Sequence, residues 1–424
     1  MTTQDTALLQ RRHQVLGRHA LLFYDEPLHL VRAQGVWAED SAGRKYLDAY
    51  NNVPHVGHCH PYVLEAMQRQ ARLININTRY LHGNVVDYAE KLAATFAPEL
   101  SLVMPVCTGT EANELALRMA RHVTGSRGII VTDFSYHGNS LALAEATTGL
   151  PAPEAPAPHV RAIHVPDMAD FEGDPALMRD DYVARVQKAV EELIAAGFPP
   201  AALLVDTLFS TEGLPRVPAG FLEGAVAAVR KAGGLYIADE VQPGLGRIGT
   251  HMWGHQAFDV VPDIVTMGKS LGNGHPIGAV VTRPDIVENF ADAALYFNTY
   301  GGNPVSAAIG LAVLEVIERE DLMGNALRVG AHLSERLADL RTRHDCVAHI
   351  RGLGLLQGAE FRQPDGTSDG PRTKRIINEM RNQGVLISRI GPNENVLKIR
   401  PPLQFSAQDV DVLVDALDIS IAKG

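Results

Sequence analysis

Lys269 is the residue whose setting most suggests chemistry. It lies in the stretch "DIVTMGKSLGNGHPIG" (263–278), directly after a short apolar run and among several glycines. The letters Gly-Lys-Ser also end a nucleotide-binding P-loop, but that motif needs another glycine where this chain has Asp263. A phosphate loop is therefore disfavoured at this lysine, and a reactive amine becomes the alternative to pursue.

A carboxylate is predicted to lie near this amine. Asp239 ends the apolar run "GLYIAD" (234–239), and the run "DIVTM" (263–267) precedes Lys269. If the two runs are neighbouring parallel strands, their carboxyl ends meet at one crevice, where sites of α/β proteins assemble. The alternative is an acid that simply enters a solvated loop.

Two further stretches could hold a planar, phosphorylated ligand. Gly109 and Thr110 come just before a predicted helix in "CTGTEANELALRMAR" (107–121), and free N–H groups at a helix start bind phosphate. Tyr136 and His137 follow the run "GIIVT" (128–132), and an aromatic ring there can stack on a ligand. The plainer interpretations are a capped helix and ordinary packing.

Together these residues match the needs of pyridoxal 5′-phosphate. Lys269 would form a Schiff base with the aldehyde, and Asp239 would pair with the pyridine nitrogen and keep it protonated. Gly109 and Thr110 would bind the phosphate, while Tyr136 covers the ring. Once a substrate amine displaces it, Lys269 could act as general base and acid.

The elements that must position these residues alternate along the chain. Short apolar runs, typical of strands buried on both faces, alternate with amphipathic helices through the middle of the sequence. This pattern predicts an α/β fold with a large, mostly parallel sheet and a smaller α+β domain. We expect the large domain to span 46–304, and the small domain to combine 1–45 with 305–424.

Composition narrows the classes of function. The chain has 424 residues and a net charge of −11, which disfavours nonspecific binding to nucleic acid. Its three cysteines are far apart, and it has no apolar run near twenty residues, so we expect a soluble cytoplasmic protein without a membrane span. His55, His58, Cys59 and His60 are close in sequence, but we expect a structural turn there and no metal.

The chain resembles class III aminotransferases of fold type I along nearly its whole length. The matching stretches are "VGHCHP" (56–61), "TGTEANELALRMAR" (108–121), "YHG" (136–138), "ADEVQPGLGRIG" (238–249), "PDIVTMGKSLGNGHPIGAVV" (262–281), "NTYGGNPVSA" (298–307) and "RPPL" (400–403). The resemblance implies pyridoxal 5′-phosphate as cofactor, attached to Lys269. It also implies that Val241 packs on the ring, that Gln242 lies near its phenolic oxygen, and that His137 belongs to the cofactor site.

The resemblance further implies a homodimer. In members of the family, the residue at the position of Thr299 contacts the cofactor phosphate bound by the neighbouring subunit. The resemblance therefore implies that each active site contains residues of both subunits. A tetramer built from such dimers is also compatible with the sequence. Small-molecule amines and keto acids are the expected partners.

The substrate residues depart from those of the family's ornithine aminotransferase-like members. Lys398 stands where these enzymes bind an α-carboxylate through arginine, and Thr211 stands at their gating glutamate. A carboxylate could still meet Lys398, Arg400 or Arg389. Arg389 matches the mobile arginine of ω-transaminases, which binds a keto acid such as pyruvate; the alternative is a surface arginine in a loop.

Other stretches are similar to ethanolamine-phosphate phospho-lyases of the same fold. These are "NNVPHVGHCHP" (51–61), "NTRYLHGNVVDYAEKL" (77–92), "YFNTYGGNPVSA" (296–307) and "NVLKIRPPLQFS" (395–406). Arg79, with Tyr80 and His82, could recognise a substrate phosphate, and Tyr24 could line the pocket. Amino transfer is favoured over phosphate elimination, because Arg389 suits a keto acid and transamination is commoner in the family. Retention of both Lys269 and Asp239 disfavours a binding protein without catalysis.

Overall fold

The computed structural model describes residues 3–423. The helices are α1 (Thr3–Leu16), α2 (Pro61–Ala71), α3 (Gly83–Ala93), α4 (Gly109–Thr124), α5 (Leu141–Ala144), α6 (Pro175–Ala195), α7 (Phe221–Lys231), α8 (Pro284–Ala293), α9 (Pro304–Arg319), α10 (Leu322–Arg343), α11 (Gly370–Asn382) and α12 (Ala407–Lys423). The strands are β1 (Leu30–Gln34), β2 (Trp37–Asp40), β3 (Lys45–Asp48), β4 (Leu102–Val106), β5 (Gly128–Thr132), β6 (Val160–Ile163), β7 (Pro200–Asp206), β8 (Leu235–Asp239), β9 (Ile264–Met267), β10 (Gly278–Thr282), β11 (Val347–Leu353), β12 (Leu356–Phe361), β13 (Val385–Leu386), β14 (Ser388–Ile390) and β15 (Val396–Ile399).

A seven-stranded sheet forms the centre of the fold, in the order β4-β10-β9-β8-β7-β5-β6. Strands β6, β5, β7, β8 and β9 pair in parallel, whereas β10 runs antiparallel to both β9 and β4. Strands β5, β7 and β9 are buried at every position, as expected for a sheet covered on both faces. The predicted α/β class with a mostly parallel sheet is confirmed.

Two helices of the C-terminal part of the chain have clear capping residues. Helix α9 begins after Asn303, whose side chain accepts a hydrogen bond from the backbone N–H of Ser306, with Pro304 at the first helical position. Helix α12 follows a reciprocal cap between Ser406 and Asp409. The apolar residues Val410, Leu413, Val414, Leu417 and Ile421 of α12 recur at helical spacing and are buried in the core.

Two smaller sheets lie outside the central one. Strands β1, β2 and β3 form an antiparallel meander, and β3 pairs in parallel with β13 from the C-terminal part of the chain. Strands β11, β12, β15 and β14 form an antiparallel sheet. The first strands of the chain therefore share a sheet with its last third, while the predicted domain boundaries stay a prediction. Among residues 3–423, no helix combines the length and apolar character needed to cross a membrane.

Candidate active site

The carboxyl ends of the central strands and the start of α4 enclose one cavity. All eight residues predicted to hold the cofactor within one chain line it: Gly109, Thr110, Tyr136, His137, Asp239, Val241, Gln242 and Lys269. Asp206 and Asn113 line it as well, and neither had been singled out from the sequence. The fold therefore brings together stretches that are up to 160 residues apart along the chain, since Gly109 and Lys269 face the same space.

Lys269 enters the cavity directly after β9 and begins a short 3₁₀ turn. Its φ of +36° is unusual for a residue with a side chain, which marks a constrained backbone at a functional position. Burial lowers the pKa of its amine to about 8, with a further contribution from the charge of Arg400. Asp239 and Asp206 oppose this shift. At neutral pH, a larger fraction of this amine is unprotonated and nucleophilic than for an exposed lysine.

Asp239 ends β8 and is held by three donors. The Asn113 side-chain amide donates to its Oδ2 at 2.9 Å, and the His137 ring nitrogen Nδ1 lies 2.7 Å from the same oxygen. The backbone N–H of Val241 donates to Oδ1 at 3.0 Å. Asn113 is itself fixed by the hydroxyl of Thr266, which donates to its carbonyl oxygen at 2.6 Å. This arrangement suits a buried carboxylate that must keep one orientation.

The start of α4 forms an anion site on the opposite side of the cavity. Thr108 is the N-cap and accepts the backbone N–H of Glu111, while the N–H groups of Gly109 and Thr110 have no intrahelical acceptor. A Cβ at Gly109 would lie 2.8 Å from a methyl carbon of Val241. The glycine therefore permits Val241 to approach the helix start closely, and the two exposed amides can bind a phosphate.

Asp206 is the acidic residue that sequence reasoning missed. It ends β7 directly opposite Asp239 in the parallel register, and its Oδ1 accepts from the backbone N–H of Leu208 and the hydroxyl of Ser210. Burial and the neighbouring Asp239 raise the pKa of Asp206 to about 6. The available signal was the acid that closes the apolar run "AALLVD" (201–206), in the same way as Asp239 closes its own strand.

The two basic residues of β15 and its end are buried and already bonded. The Lys398 ammonium donates to the backbone carbonyl of Ser210 at 2.8 Å and to Gln242 Oε1 at 3.0 Å. The guanidinium of Arg400 also donates to Gln242 Oε1, and it lies 4.9 Å from the centre of the Tyr50 ring. Neither side chain lines the cavity, so their predicted contact with substrate stays a prediction.

Arg389 and Tyr24 also have partners outside the cavity. Arg389 lies opposite Leu397 in the register of β14 and β15, and thus on the other face of the strand from Lys398. Its guanidinium donates to the carbonyl of Gly370 at 2.9 Å and pairs with Glu394. The Tyr24 hydroxyl exchanges two hydrogen bonds of 3.0 Å with the backbone of Ile387. Their predicted contact with substrate is therefore not visible in the contacts of this chain.

Thr299 lines an open cleft beside the cavity, and Arg79 contacts one of the residues that line this cleft. The guanidinium of Arg79 is 3.9 Å from the centre of the Phe297 ring, and Phe297 lines this cleft together with Thr110 and Thr299. Tyr80 is largely exposed. Because Thr110 lines both the cleft and the inner cavity, the cleft adjoins the predicted phosphate end of the site.

The position predicted to replace the gating glutamate is Thr211, and a glutamate follows it. Glu212 accepts a hydrogen bond from the hydroxyl of Thr132, and burial with the nearby Asp206 raises the pKa of its carboxyl to about 8. No hydrogen bond or ion pair joins Glu212 to Lys398 among the described contacts. The usual pairing of a glutamate with a basic residue is therefore absent at this place within residues 3–423.

The histidines of the turn at 55–60 have separate partners. His55 contacts the carbonyl of Leu245 at 2.6 Å, His58 contacts Asp48, and His60 contacts Glu320. In the part of the chain that the structure describes, no three histidine, cysteine or acidic side chains are grouped as metal ligands. The turn links the N-terminal strands to the rest of the chain through these contacts.

The donor set of the cavity fits pyridoxal 5′-phosphate. The Lys269 amine can bond to the aldehyde carbon, the Asp239 carboxylate can accept a hydrogen bond from the protonated pyridine nitrogen, and the amides of Gly109 and Thr110 can bind the phosphate. The absence of a Cβ at Gly109 keeps the helix start accessible beside Val241. The cofactor's three distinctive groups thus each meet a residue of matching chemistry in one cavity.

Comparisons with known sequences found similar proteins along nearly the whole chain. A model of the family described as class-III aminotransferases matches residues 24–421. The chain is 40% identical to the alanine–glyoxylate aminotransferase 2-like protein of Drosophila melanogaster, over 96% of this chain and 85% of the relative.

Solved structures extend the comparison. The chain is 47% identical to a phospholyase from Arthrobacter in complex with phosphoethanolamine, with a TM-score of 0.97, covering 98% of this chain and 100% of that one. It is 28% identical, with a TM-score of 0.85, to an amine transaminase from an uncultivated Pseudomonas species in a PLP-bound form, covering 94% and 95% of the two chains.

Proposed function

Because the chain belongs to the class III aminotransferase family, whose cofactor is pyridoxal 5′-phosphate, we propose that it acts on a small primary amine that lacks an α-carboxylate and carries a phosphate. The sequence predicts either amino transfer or phosphate elimination. One similar protein is named for the first reaction and one for the second. We propose elimination of phosphate as its main reaction and amino transfer as the second candidate.

The observation that carries this proposal is the charge of the cavity lining. Lys269 is the one lysine or arginine among the described residues that line it, and two acids, Asp206 and Asp239, line it as well. Lys398, at the usual arginine position, is already bonded to Ser210 and Gln242. An α-carboxylate would therefore be buried without a cation, which costs several kcal/mol. An amine without that group avoids this cost.

The phosphate of the substrate would meet the cleft at Arg79. This guanidinium lies over the Phe297 ring, and an arginine is well suited to two parallel hydrogen bonds with a phosphate. The cleft adjoins the inner cavity through Thr110, so a short phosphorylated amine could extend from Lys269 toward it. The phosphoethanolamine complex of the Arthrobacter phospholyase, at 47% identity, supports this choice of substrate.

The roles of the protein groups in elimination follow from the site. The bound cofactor supplies an electron sink for the carbon that bears the substrate's amino group. Lys269, displaced by the substrate amine, takes a proton from that carbon. The electron pair left on that carbon forms a double bond to the neighbouring carbon. At the same time the bond between the neighbouring carbon and the phosphate oxygen breaks, and phosphate leaves with the electrons of that bond. Lys269 would then give its proton to the terminal carbon of the unsaturated amine, and water would hydrolyse the resulting imine to an aldehyde and ammonia.

Stoichiometry tests the proposal. With phosphoethanolamine, the enzyme should release phosphate, acetaldehyde and ammonia in equal amounts, at the same rate with or without pyruvate. Alanine formation that depends on pyruvate, without phosphate release, would establish the second candidate instead. That candidate is supported by the 40% identical relative named an aminotransferase. A scan of unphosphorylated amines with pyruvate completes the comparison.

We further propose that the chain forms a homodimer through the face that carries Thr299. Segments 73–81 and 295–302 are adjacent, since Arg79 covers Phe297 and the backbone of Val305 bonds Asn75. Both expose large apolar side chains, among them Leu73, Leu81, Leu295 and Tyr300. An exposed apolar surface of this kind is typical of an interface. A dimer would cover this apolar surface, which lies beside the phosphate end of the candidate active site.

The mass in solution tests the dimer. The wild-type chain should sediment as a dimer or a multiple of it. Substitution of both Leu81 and Leu295 by glutamate should shift it toward a monomer and weaken cofactor binding, because charges become buried at the interface. Leu177→Glu, at an exposed leucine of α6, is the matched control and should leave the mass unchanged. A wild-type monomer that retains full cofactor binding would refute the proposal.

A further inference from the structure

The amide of Gln242 has its orientation fixed by two basic side chains. Lys398 Nζ and Arg400 Nη1 both donate to Gln242 Oε1. A guanidinium carries only donors, so the amide oxygen must face it, and the opposite assignment would bring two donors together. Gln242 lines the cavity beside Lys269. Because its amide oxygen faces the two basic side chains, its amide nitrogen Nε2 can donate into the cavity.

Lys398 is itself held by a second acceptor. Its Nζ donates to the carbonyl of Ser210 at 2.8 Å, and the side chain is buried. Burial and the charge of Arg400 lower the pKa of this amine, whereas Asp206 and Glu212 oppose that shift. A neutral amine still has two N–H groups, one for each acceptor. The contact with Gln242 therefore does not require a charged lysine.

Arg400 is fixed from a different direction. Its Nε donates to the carbonyl of Tyr50 at 3.2 Å, and its backbone N–H donates to the carbonyl of Ala49. Strand β15 and the residue directly after it thus carry two donors that converge on one oxygen of Gln242. Two independently anchored donors restrict the amide far more than a single flexible contact would.

We propose that Lys398 is a positioning residue, which with Arg400 holds the Gln242 amide so that its Nε2 donates to the cofactor, and that it does not bind substrate. The pyridine nitrogen has Asp239, the phosphate has the start of α4, and the aldehyde has Lys269. The ring hydroxyl oxygen is the acceptor that remains for Gln242. This proposal rests on the cofactor and not on the choice between elimination and amino transfer.

A hydrogen bond to that oxygen changes the titration of the bound cofactor. A donor stabilises the oxygen's negative charge, which is greatest when the lysine–cofactor linkage has lost its proton. The midpoint of the visible absorption change with pH is therefore lower when Gln242 donates. Loss of this one bond should raise the midpoint by about one pH unit, the size expected for a hydrogen bond to a charged group.

A double-mutant cycle on the holoenzyme tests the proposal. Lys398→Met and Gln242→Leu should each raise the spectroscopic midpoint, and the double variant should match Gln242→Leu alone, because Lys398 acts through that glutamine. If Lys398 acted by its charge, its removal would shift the midpoint further in the Gln242→Leu background. An unchanged midpoint in Lys398→Met, with a raised KM for the amine, would make it a substrate residue. Either result would overturn the proposal.

A conservative variant covers the case in which Lys398→Met does not fold. Lys398→Arg retains donors for both Ser210 and Gln242, so it should keep the wild-type midpoint and KM. Gln242→Glu provides a second measurement, because both oxygens of a carboxylate accept and neither can donate to the cofactor. Its midpoint should rise at least as far as that of Gln242→Leu. A Gln242→Glu enzyme with the wild-type midpoint would contradict the proposal without any change at Lys398.

Discussion

Asp206 and Asp239 lie directly opposite each other at the carboxyl ends of β7 and β8. The two carboxylates have unequal surroundings, since Asp239 accepts three hydrogen bonds and Asp206 accepts two, both on one oxygen. Adjacent buried acids disfavour a second negative charge, and the pKa of Asp206 is raised to about 6. Asp206 therefore takes up a proton at a higher pH than an ordinary aspartate, whereas its three donors hold Asp239 in one orientation toward the pyridine nitrogen.

Replacing Asp206 by asparagine should lower the pKa of Lys269 further. Burial and the charge of Arg400 lower the pKa of Lys269, whereas Asp206 and Asp239 raise it. Removing the charge of Asp206 therefore leaves only Asp239 to oppose the decrease. The expected decrease is up to about one pH unit, measured as the pH dependence of cofactor attachment to the apoenzyme. Asp133→Asn, at the exposed acid that follows β5, is the control and should leave the midpoint in place. An equal decrease in both variants would assign the effect to net charge.

Lys269 should attach pyridoxal 5′-phosphate with a rate that rises with pH and levels off above about 8. The neutral amine is the nucleophile, and burial makes the neutral form dominant at a lower pH than for an exposed lysine. Stopped-flow absorbance of apoenzyme mixed with the cofactor measures this profile. A rate that continues to rise to pH 10 would show that the amine is not desolvated as its surroundings indicate.

Lys269→Ala should abolish turnover and the absorption band of the covalently attached cofactor. The residue both holds the cofactor and moves the proton, so we expect a loss of at least about a thousandfold in kcat. Borohydride reduction of the wild type, followed by peptide mass mapping, should label the peptide that contains residue 269. Circular dichroism checks that the variant is folded. Turnover that survives in a folded variant would contradict the assigned role.

Gly109→Ala should weaken cofactor binding. The new Cβ would lie 2.8 Å from a methyl carbon of Val241, so that side chain or the helix start must shift at the phosphate end. We expect a rise in Kd of roughly tenfold or more, which corresponds to an overpacking cost of 1 to 3 kcal/mol. Gly83→Ala is the matched control, because Gly83 also begins a helix and its added Cβ would meet nothing closer than 4.0 Å. Equilibrium dialysis of the apoenzyme measures both.

Local sequence patterns predicted five of the seven strands of the central sheet, because β5, β7, β8, β9 and β10 are buried along nearly their whole length. The run "GIIVT" and strand β5 begin and end at the same residues. Strand β8 contains every residue of the run "GLYIAD" except its first glycine. The pattern could not show that β10 runs antiparallel, since a buried strand has the same composition in either direction. Direction depends on the connection between β9 and β10, which tertiary packing decides.

Site residues at the start of a helix or the end of a strand could be predicted from the sequence. Residues whose role depends on side chains from distant parts of the chain were harder to predict. Gly109 and Lys269 stand at a helix start and a strand end, which sequence patterns indicate. Asp206 was overlooked because an acid after a strand is ordinary, and only the register beside Asp239 gives it meaning. Lys398 was predicted to meet substrate because it stands at the position of the family's arginine, and its contacts with Ser210 and Gln242 could not be foreseen because they join distant parts of the chain. The dimer and the cytoplasmic location stay predictions.

Arg79→Ala should raise the KM for a phosphorylated amine and leave that for an unphosphorylated amine unchanged. Its guanidinium is oriented by the Phe297 ring at the cleft, so it can meet the substrate phosphate without first breaking an ion pair among the described contacts. We expect an increase in KM of roughly tenfold, in line with one charge-assisted contact at an exposed site. Steady-state kinetics with phosphoethanolamine and with an unphosphorylated amine of similar length measure the difference.

Arg118 provides the matched control for Arg79. It lines the same cleft and lies over the rings of Phe290 and Tyr296, so its replacement by alanine removes an equal charge from the same surface. Arg118→Ala should therefore change the KM for phosphoethanolamine less than Arg79→Ala does. Equal effects would mean that the phosphate responds to the positive charge of both arginines from a distance, since long-range attraction does not distinguish two arginines of one surface. Rising ionic strength should then abolish both effects together, whereas a direct contact of Arg79 with phosphate would keep part of its effect.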